Sequence, residues 1–155
     1  MAFAFLLLSC SSEDAVQNMA TPSAISQNYT YNLDETELET AINDYRSSIG
    51  LNALQSVEYA AYKAEAHNDY MIAKNVVNHD YFAERSHDII QVLGAVKVNE
   101  NVAYNYVSAN AVLHAWLNSP GHKANIEGDF THIGISIREN TQTGKKYYTN
   151  IFIKK

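Results

Sequence analysis

Only one cysteine occurs in the sequence. A single thiol cannot close an internal disulfide, so the paired-cysteine frameworks of small secreted folds and zinc ribbons are excluded. Charge is scarce too: 17 acidic and 11 basic residues make 18% of the chain, with a net charge of -6. Globular proteins usually carry about 25% charged residues. The few Lys and Arg are scattered, so no basic stripe marks a phosphate backbone as partner, and no nucleic acid is expected. No apolar run approaches the ~20 residues that a membrane-spanning helix needs. The sequence lacks HExxH, CxxC and GxSxG, and with them the local signatures of zinc proteases, thiol redox sites and serine-elbow hydrolases. What is present is a 46% hydrophobic composition that includes 11 tyrosines among 155 residues. That suits one globular domain; at about 120 residues it would bury roughly two-thirds of the surface its unfolded chain exposes, without staples.

Organisation begins at the N-terminus. Residues 1–10 read MAFAFLLLSC, an apolar run too short to span a bilayer as a helix. Leu7-Leu8-Ser9-Cys10 resembles the lipobox of bacterial lipoproteins, in which a Cys after small residues is acylated and becomes the new N-terminus. The departure is that no Lys or Arg precedes the apolar run, where signal peptides carry one. Cys10-Ser11-Ser12-Glu13-Asp14 also resembles an acidic export tag of surface lipoproteins. Residues 11–32 are Ser, Thr, Gln, Asn and Ala without periodicity and read as a flexible tether, whose removal is expected to leave stability unchanged. Residues 33–155 form the domain.

Within the domain, Asp34 can cap a helix whose apolar positions Leu38, Ile42, Tyr45 and Ile49 follow helical spacing. Ser56 can cap a second helix running to about Asn75, whose Ala60, Ala61 and Ala64 predict close approach to another element. A loop at Asn78-His79-Asp80 follows, then a short helix from Ser86 closed by Gly94. Val98 to Tyr106 alternates as a strand. A helix begins at Ser108 and stops at Ser119-Pro120-Gly121. Residues 132–139 and 147–153 alternate as a terminal hairpin turning at 140–145. Helices followed by strands imply an α+β fold, with a sheet covered by helices.

Six histidines invite a metal hypothesis. Those outside regular elements, where scaffolds present functional groups, are His79 in a loop and His122 after a Pro-Gly turn, with Glu100 on the neighbouring strand. His67 lies inside the second helix and is expected to pack or bond within the core. Asn99 to Tyr104, NENVAY, looks like the GENIAY segment of the CAP superfamily (cysteine-rich secretory, antigen 5 and pathogenesis-related proteins). Trp116 to Ile126, WLNSPGHKANI, is similar to the bacterial members' WMNSPGHRANIL, and Phe130 to Gly134 to their FTEIG. Upstream, Ala64 to Met71 resembles their A-x-x-H-x-x-x-M helix, and Asn43 to Arg46 their N-x-x-R helix. The likeness runs from about Glu35 to Phe152.

The resemblance implies an α-β-α sandwich with a central antiparallel sheet and a wide cleft. Carried over by position, His79 and His122 match the family's two cleft histidines, Glu100 matches one glutamate, and Asn101, Trp116, Ser119 and Gly121 are motif residues. The second glutamate of many animal members falls at Ser119, and the first Gly of GEN at Asn99. Two readings stay open. In one, His79 and His122 hold Zn²⁺ or another divalent cation and Glu100 is the candidate base acting on bound water. In the other, these groups form a hydrogen-bonded network and no reaction occurs. The missing glutamate weighs toward the network.

The expected protein is therefore extracytoplasmic, anchored to a bacterial membrane through Cys10, and binds a lipid, peptide or glycan ligand or a partner in its cleft. The alternative is a metal-dependent hydrolase acting on peptide or cell-envelope material. Several acyl chains anchor durably where one does so only marginally. Cys10→Ala, expressed with the native leader, should therefore move the protein out of the membrane fraction. Equal membrane association with and without the thiol would refute the anchor.

Overall fold

The computed structural model describes residues 28–155; Cys10, the signal and most of the tether lie outside the described residues. The elements are α1 (Leu33–Ser48), β1 (Gln55–Ser56), α2 (Glu58–Lys74), α3 (Phe82–Leu93), β2 (Lys97–Tyr104), α4 (Ala109–Leu117), α5 (Pro120–Ile126), β3 (His132–Asn140) and β4 (Lys145–Lys154). The strands form one sheet in the order β1-β3-β4-β2. β2, β4 and β3 pair antiparallel, and the two-residue β1 adds a parallel edge. On one face Leu38 and Ile42 of α1, Leu113 and Trp116 of α4 and Ile126 of α5 pack on Ile133, Ile135, Ile137, Tyr148 and Phe152. On the other, Ala60 and Ala64 of α2 and Ile89 of α3 meet Ile151 and Ile153, with Met71 against Val102 and Tyr147. The α-β-α sandwich expected from the sequence is the fold observed.

Several element ends differ from the sequence reading, each for a local reason. Asn32, not Asp34, caps α1: its side chain accepts from the Glu35 amide while the Glu35 carboxylate accepts from the Asn32 amide, a capping box that outcompetes an aspartate already inside the first turn. Ser56 lies in β1, and its hydroxyl donates to Glu39 instead of capping α2. α3 starts at Phe82, a turn earlier than Ser86, because Tyr81 takes a left-handed conformation and starts the helix without a side-chain cap. Ser119-Pro120-Gly121 ends α4 and also begins α5, with Pro120 in the first turn, where a missing N–H costs nothing.

The tether boundary moves as well. Tyr29 is buried and its hydroxyl donates to the buried Glu35 carboxylate at 2.6 Å. Residues 29–32 therefore belong to the domain, and a deletion through Asn32 would remove both a packed ring and a helix cap worth about 1 kcal/mol.

Two polar devices in α1 set the remaining frame. Asn43 brackets Leu54, donating to its carbonyl and accepting from its amide at 3.1 and 2.8 Å. Arg46 is fully buried and donates to the carbonyls of Asn52, Ile126 and Gly128, so one guanidinium closes the C-terminal end of α5. The N-x-x-R spacing is thus a pair of backbone clamps one turn apart.

Close approach of α2 to the sheet follows from size. A Cβ placed on Gly134 of β3 would fall 2.4 Å from the Ala60 Cβ and 2.5 Å from backbone atoms of Ala60 and Ala61. Backbone cannot yield as a side-chain tip can. Gly134→Ala should therefore cost about 1–3 kcal/mol through overpacking, read as a fall in the urea midpoint, whereas Gly121→Ala, whose Cβ meets nothing, should leave it unmoved.

Candidate functional site

β2 is the free edge of the sheet, and alternation along it sends Val98, Glu100 and Val102 toward the α2–α3 side and Asn101 and Ala103 toward the α4–α5 side. Asn105 N–H pairs with the Lys146 carbonyl, so the odd residues of β2 bond to β4 and the even ones turn their peptide groups outward. Side chains satisfy that edge. Trp116 Nε1 donates to the Val102 carbonyl at 3.0 Å and Asn125 Nδ2 to the Glu100 carbonyl at 3.3 Å. An edge strand is thereby held without a fifth strand.

Glu100 is 6% exposed. Its Oε2 accepts from Arg85 Nε and its Oε1 from Arg85 Nη2, both at 2.8 Å, a bidentate ion pair of the strong, geometrically specific kind. Oε1 also accepts from His79 Nδ1 at 2.9 Å. His67, fully buried on α2, stands 3.9 Å from the same oxygen but donates from Nε2 to the Asn78 carbonyl at 2.9 Å, fixing the loop that carries His79. Because Nε2 carries that proton, the neutral ring leaves Nδ1 as an acceptor, and it has no partner among the described residues.

From the opposite side, α5 presents His122. Its Nδ1 hydrogen-bonds with Ser119 Oγ at 2.8 Å, and its ring lies 6.5 Å from the Trp116 ring. Asn101 Nδ2 donates to the His122 carbonyl at 3.1 Å, and Asn101 Oδ1 accepts from Asn125 at 2.8 Å. Asn99, where relatives have Gly, extends this ladder by donating to Asn125 Oδ1. Trp116 is core, Ser119 is the serine that ties down the imidazole, and Gly121 is an exposed first-turn residue.

The two imidazoles thus flank the free edge of β2, each secured through Nδ1 with Nε2 uncommitted among the described residues. Burial is the main cause that lowers the His122 pKa, and the neighbouring His79 adds to it. Burial also lowers that of His67, outweighing the opposing field of Glu100. Both rings are therefore neutral at pH 7. Among the described residues no three His, Cys, Asp or Glu side chains are grouped to hold a metal ion. As a donor set, the pair would offer a cation two ring nitrogens whose far sides are anchored by Glu100 and Ser119.

Arg85 and His67 are the residues that sequence reasoning left out of the site. Arg85 had a signal: it stands four residues before buried Ile89 on the apolar stripe of α3, and a charge on a buried face needs a partner. Starting α3 at Ser86 hid it.

A lowered histidine pKa has a sign in stability. Below about pH 6.5 the unfolded chain takes up protons that folded His67 and His122 refuse, so stability is full at neutral pH and declines as pH falls through that value. Urea midpoints between pH 7 and pH 5 should decrease, and His67→Gln should flatten the decline. An unchanged slope in His67→Gln would show that His67 is not the group responsible.

Comparison with known proteins places this arrangement. The family model described as CAP, the cysteine-rich secretory protein family, matches residues 39–152. Two Bacillus subtilis proteins are similar: the uncharacterized membrane protein YlbC, 34% identical over 130 residues, and the uncharacterized protein YkwD, 32% identical over 130 residues. The matches cover 78% and 81% of this chain but 34% and 49% of those proteins, so the chain spans about a third and a half of their lengths. Among solved structures, a Bacillus anthracis extracellular protein containing an SCP domain has a TM-score of 0.69 at 27% identity, covering 79% of this chain and 40% of that one. An outer surface protein of Borrelia burgdorferi shares the fold, with a TM-score of 0.71 at 24% identity over 79% of this chain and 92% of its own. A match over most of the domain, which includes the edge strand, the His122 helix and both clamps of α1, shows that the chain belongs to the CAP, or cysteine-rich secretory protein, family.

Proposed function

We propose that this chain is an extracytoplasmic binding protein, held to a bacterial membrane through Cys10, that captures a ligand or partner in the cleft between His79 and His122. One observation carries the reading: both imidazoles are anchored through Nδ1, by Glu100 and by Ser119, while each Nε2 has no hydrogen-bond partner among the described residues. The extracellular and membrane designations of the Bacillus proteins support the location.

A divalent cation such as Zn²⁺ is the simplest occupant those nitrogens would take, and His79 and His122 would hold it. When bound, it would act as a Lewis acid toward an oxygen of the ligand. The protein's own part is to orient both rings, and burial keeps that of His122 neutral. Glu100 argues for capture over hydrolysis, because its two oxygens receive three N–H donors from Arg85 and His79. A general base needs a lone pair directed at the proton it removes.

Calorimetric titration with Zn²⁺ at about pH 7 and about pH 5 tests this, because protons compete for the same lone pairs. The heat should weaken strongly at the lower pH and vanish in His122→Ala and His79→Ala. Heat unaltered in both variants would remove the site. Chelator-sensitive cleavage of peptide or cell-envelope material by the parent protein, lost in the same variants, would establish the hydrolase instead.

A further inference from the structure

A cavity of about 230 Å³ lies between α2 and α3, with Lys63, Tyr70, Tyr81, Glu84, Arg85 and Asp88 in its lining. Tyr70 and Tyr81 form an aromatic corner, their ring centroids 5.3 Å apart and their planes at 87°. Tyr81 is 62% exposed, so much of its ring stands free of the protein. The Tyr70 hydroxyl donates to Asp80 Oδ2 at 2.7 Å. A phenol that donates to a carboxylate becomes richer in electrons, which strengthens the negative face of its ring.

The charges around this corner do not cancel. Lys63 is closed by Asp88 and lies over the Tyr59 ring, and Arg85 is closed by the buried Glu100. Glu84 is left without an ion pair among the described residues, and so is Asp80, whose carboxylate accepts from Tyr70 and Asn78. Electron-rich rings beside surplus negative charge attract a cation, through the ring quadrupole and through Coulomb's law together. The donor set then selects its kind. A metal ion needs oxygen ligands on several sides, and aromatic faces supply none. A primary ammonium brings three N–H donors, and Glu84 is the one lining carboxylate left to receive them. A methylated ammonium brings charge without donors, and its C–H groups pack against tyrosine faces. The volume lies below the ~300–1,000 Å³ of drug-sized sites, which suits one such group.

We infer that the α2–α3 cavity binds a trimethylammonium group, seated in the Tyr70–Tyr81 corner with Glu84 as its counter-charge. Free choline and a phosphocholine headgroup carry the same group, and the test separates them. Neither His79 nor His122 takes part, so failure of this assignment would leave the proposal at those two rings untouched.

Choline chloride is the probe, titrated at constant ionic strength into the full chain, with carbon-13 tyrosine ring resonances followed by NMR. Its neutral carbon isostere, 3,3-dimethyl-1-butanol, is the control. Saturable movement of the Tyr70 and Tyr81 resonances is expected, with choline bound about tenfold more tightly than the isostere. Tyr81→Phe should keep that preference. Tyr81→Leu, on the same left-handed backbone at φ 58°, should lose it, because bulk remains and the quadrupole does not. Glu84→Gln, exposed in the first turn of α3, should weaken choline several-fold and leave both Tm and the isostere unmoved. Phosphatidylcholine vesicles that bind the chain and are released by choline would assign the group to a lipid headgroup. Choline binding without vesicle binding would assign it to a free solute. Motionless tyrosine rings, equal affinity for choline and its isostere, a preference that survives Tyr81→Leu, or tighter binding of n-butylammonium than of choline would each overturn the assignment.

Discussion

A carboxylate on the edge strand of a sheet, taken almost wholly out of water, must be neutralised where it stands, and the fold around β2 is arranged to do that for Glu100. An unpaired buried charge costs several kcal/mol, and removing one partner of such a pair typically costs about 3–5 kcal/mol. Arg85 can reach Glu100 with both Nε and Nη2 only if α3 lies across the edge of the sheet. The same guanidinium donates to the Asp80 carbonyl, so the loop before α3 is pulled to the same place. His79 therefore arrives at Glu100 because Arg85 has already fixed its neighbour, and His67 holds the loop through Asn78 from the helix beneath. The position of one candidate ligand is a consequence of neutralising one acid.

The opposite side of the site is held by hydrogen bonds to backbone carbonyls. His122 rides on α5, a two-turn helix too short to be stable alone. Its ends are held from outside: Arg46 takes the carbonyls of Ile126 and Gly128, and Asn101 takes that of His122. Asn99, Asn101 and Asn125 turn three amides into a ladder between β2 and α5. Neutral amides serve here because they satisfy backbone groups without the desolvation penalty of ions. The two histidines are thus held differently, His79 through a salt bridge and His122 through amide and guanidinium contacts with carbonyls. Salt and pH act on the two arrangements unequally.

Much of this architecture was legible in the sequence. Helical and strand periods placed the main elements because each presents one apolar face, and the alanines of α2 announced the close approach that Gly134 completes. The family segments singled out Glu100 and His122 as candidates, with His79 carried over by position, and the structure brings His79 to Glu100. What stayed hidden depends on partners distant in sequence. Asn32 rather than Asp34 caps α1 because Glu35 reaches back to it, and Tyr29 leaves the tether because Glu35 is buried beneath it. β1 could not be read at all, since two residues carry no period. Ser119, seen as the place of a missing glutamate, proves to be the group that fixes the ring of His122. Arg85 was obscured by a left-handed tyrosine that starts a helix where no cap signal exists.

Glu100 and Arg85 also stand between the His79 loop and the cavity lined by α2 and α3. On one side Oε1 holds His79 at the cleft; on the other, Arg85 and His67 line the cavity under Tyr70 and Tyr81. A carboxylate that accepts three N–H bonds has little freedom to rearrange, and a bidentate pair resists rotation better than a single contact. The pair is therefore stiff, and any displacement of α3 from the edge strand would have to loosen Arg85. Such loosening would expose the cost of an unpaired buried charge, several kcal/mol. The energetics thus keep α3 and the His79 loop in one place on β2, with the buried pair as their fixed point.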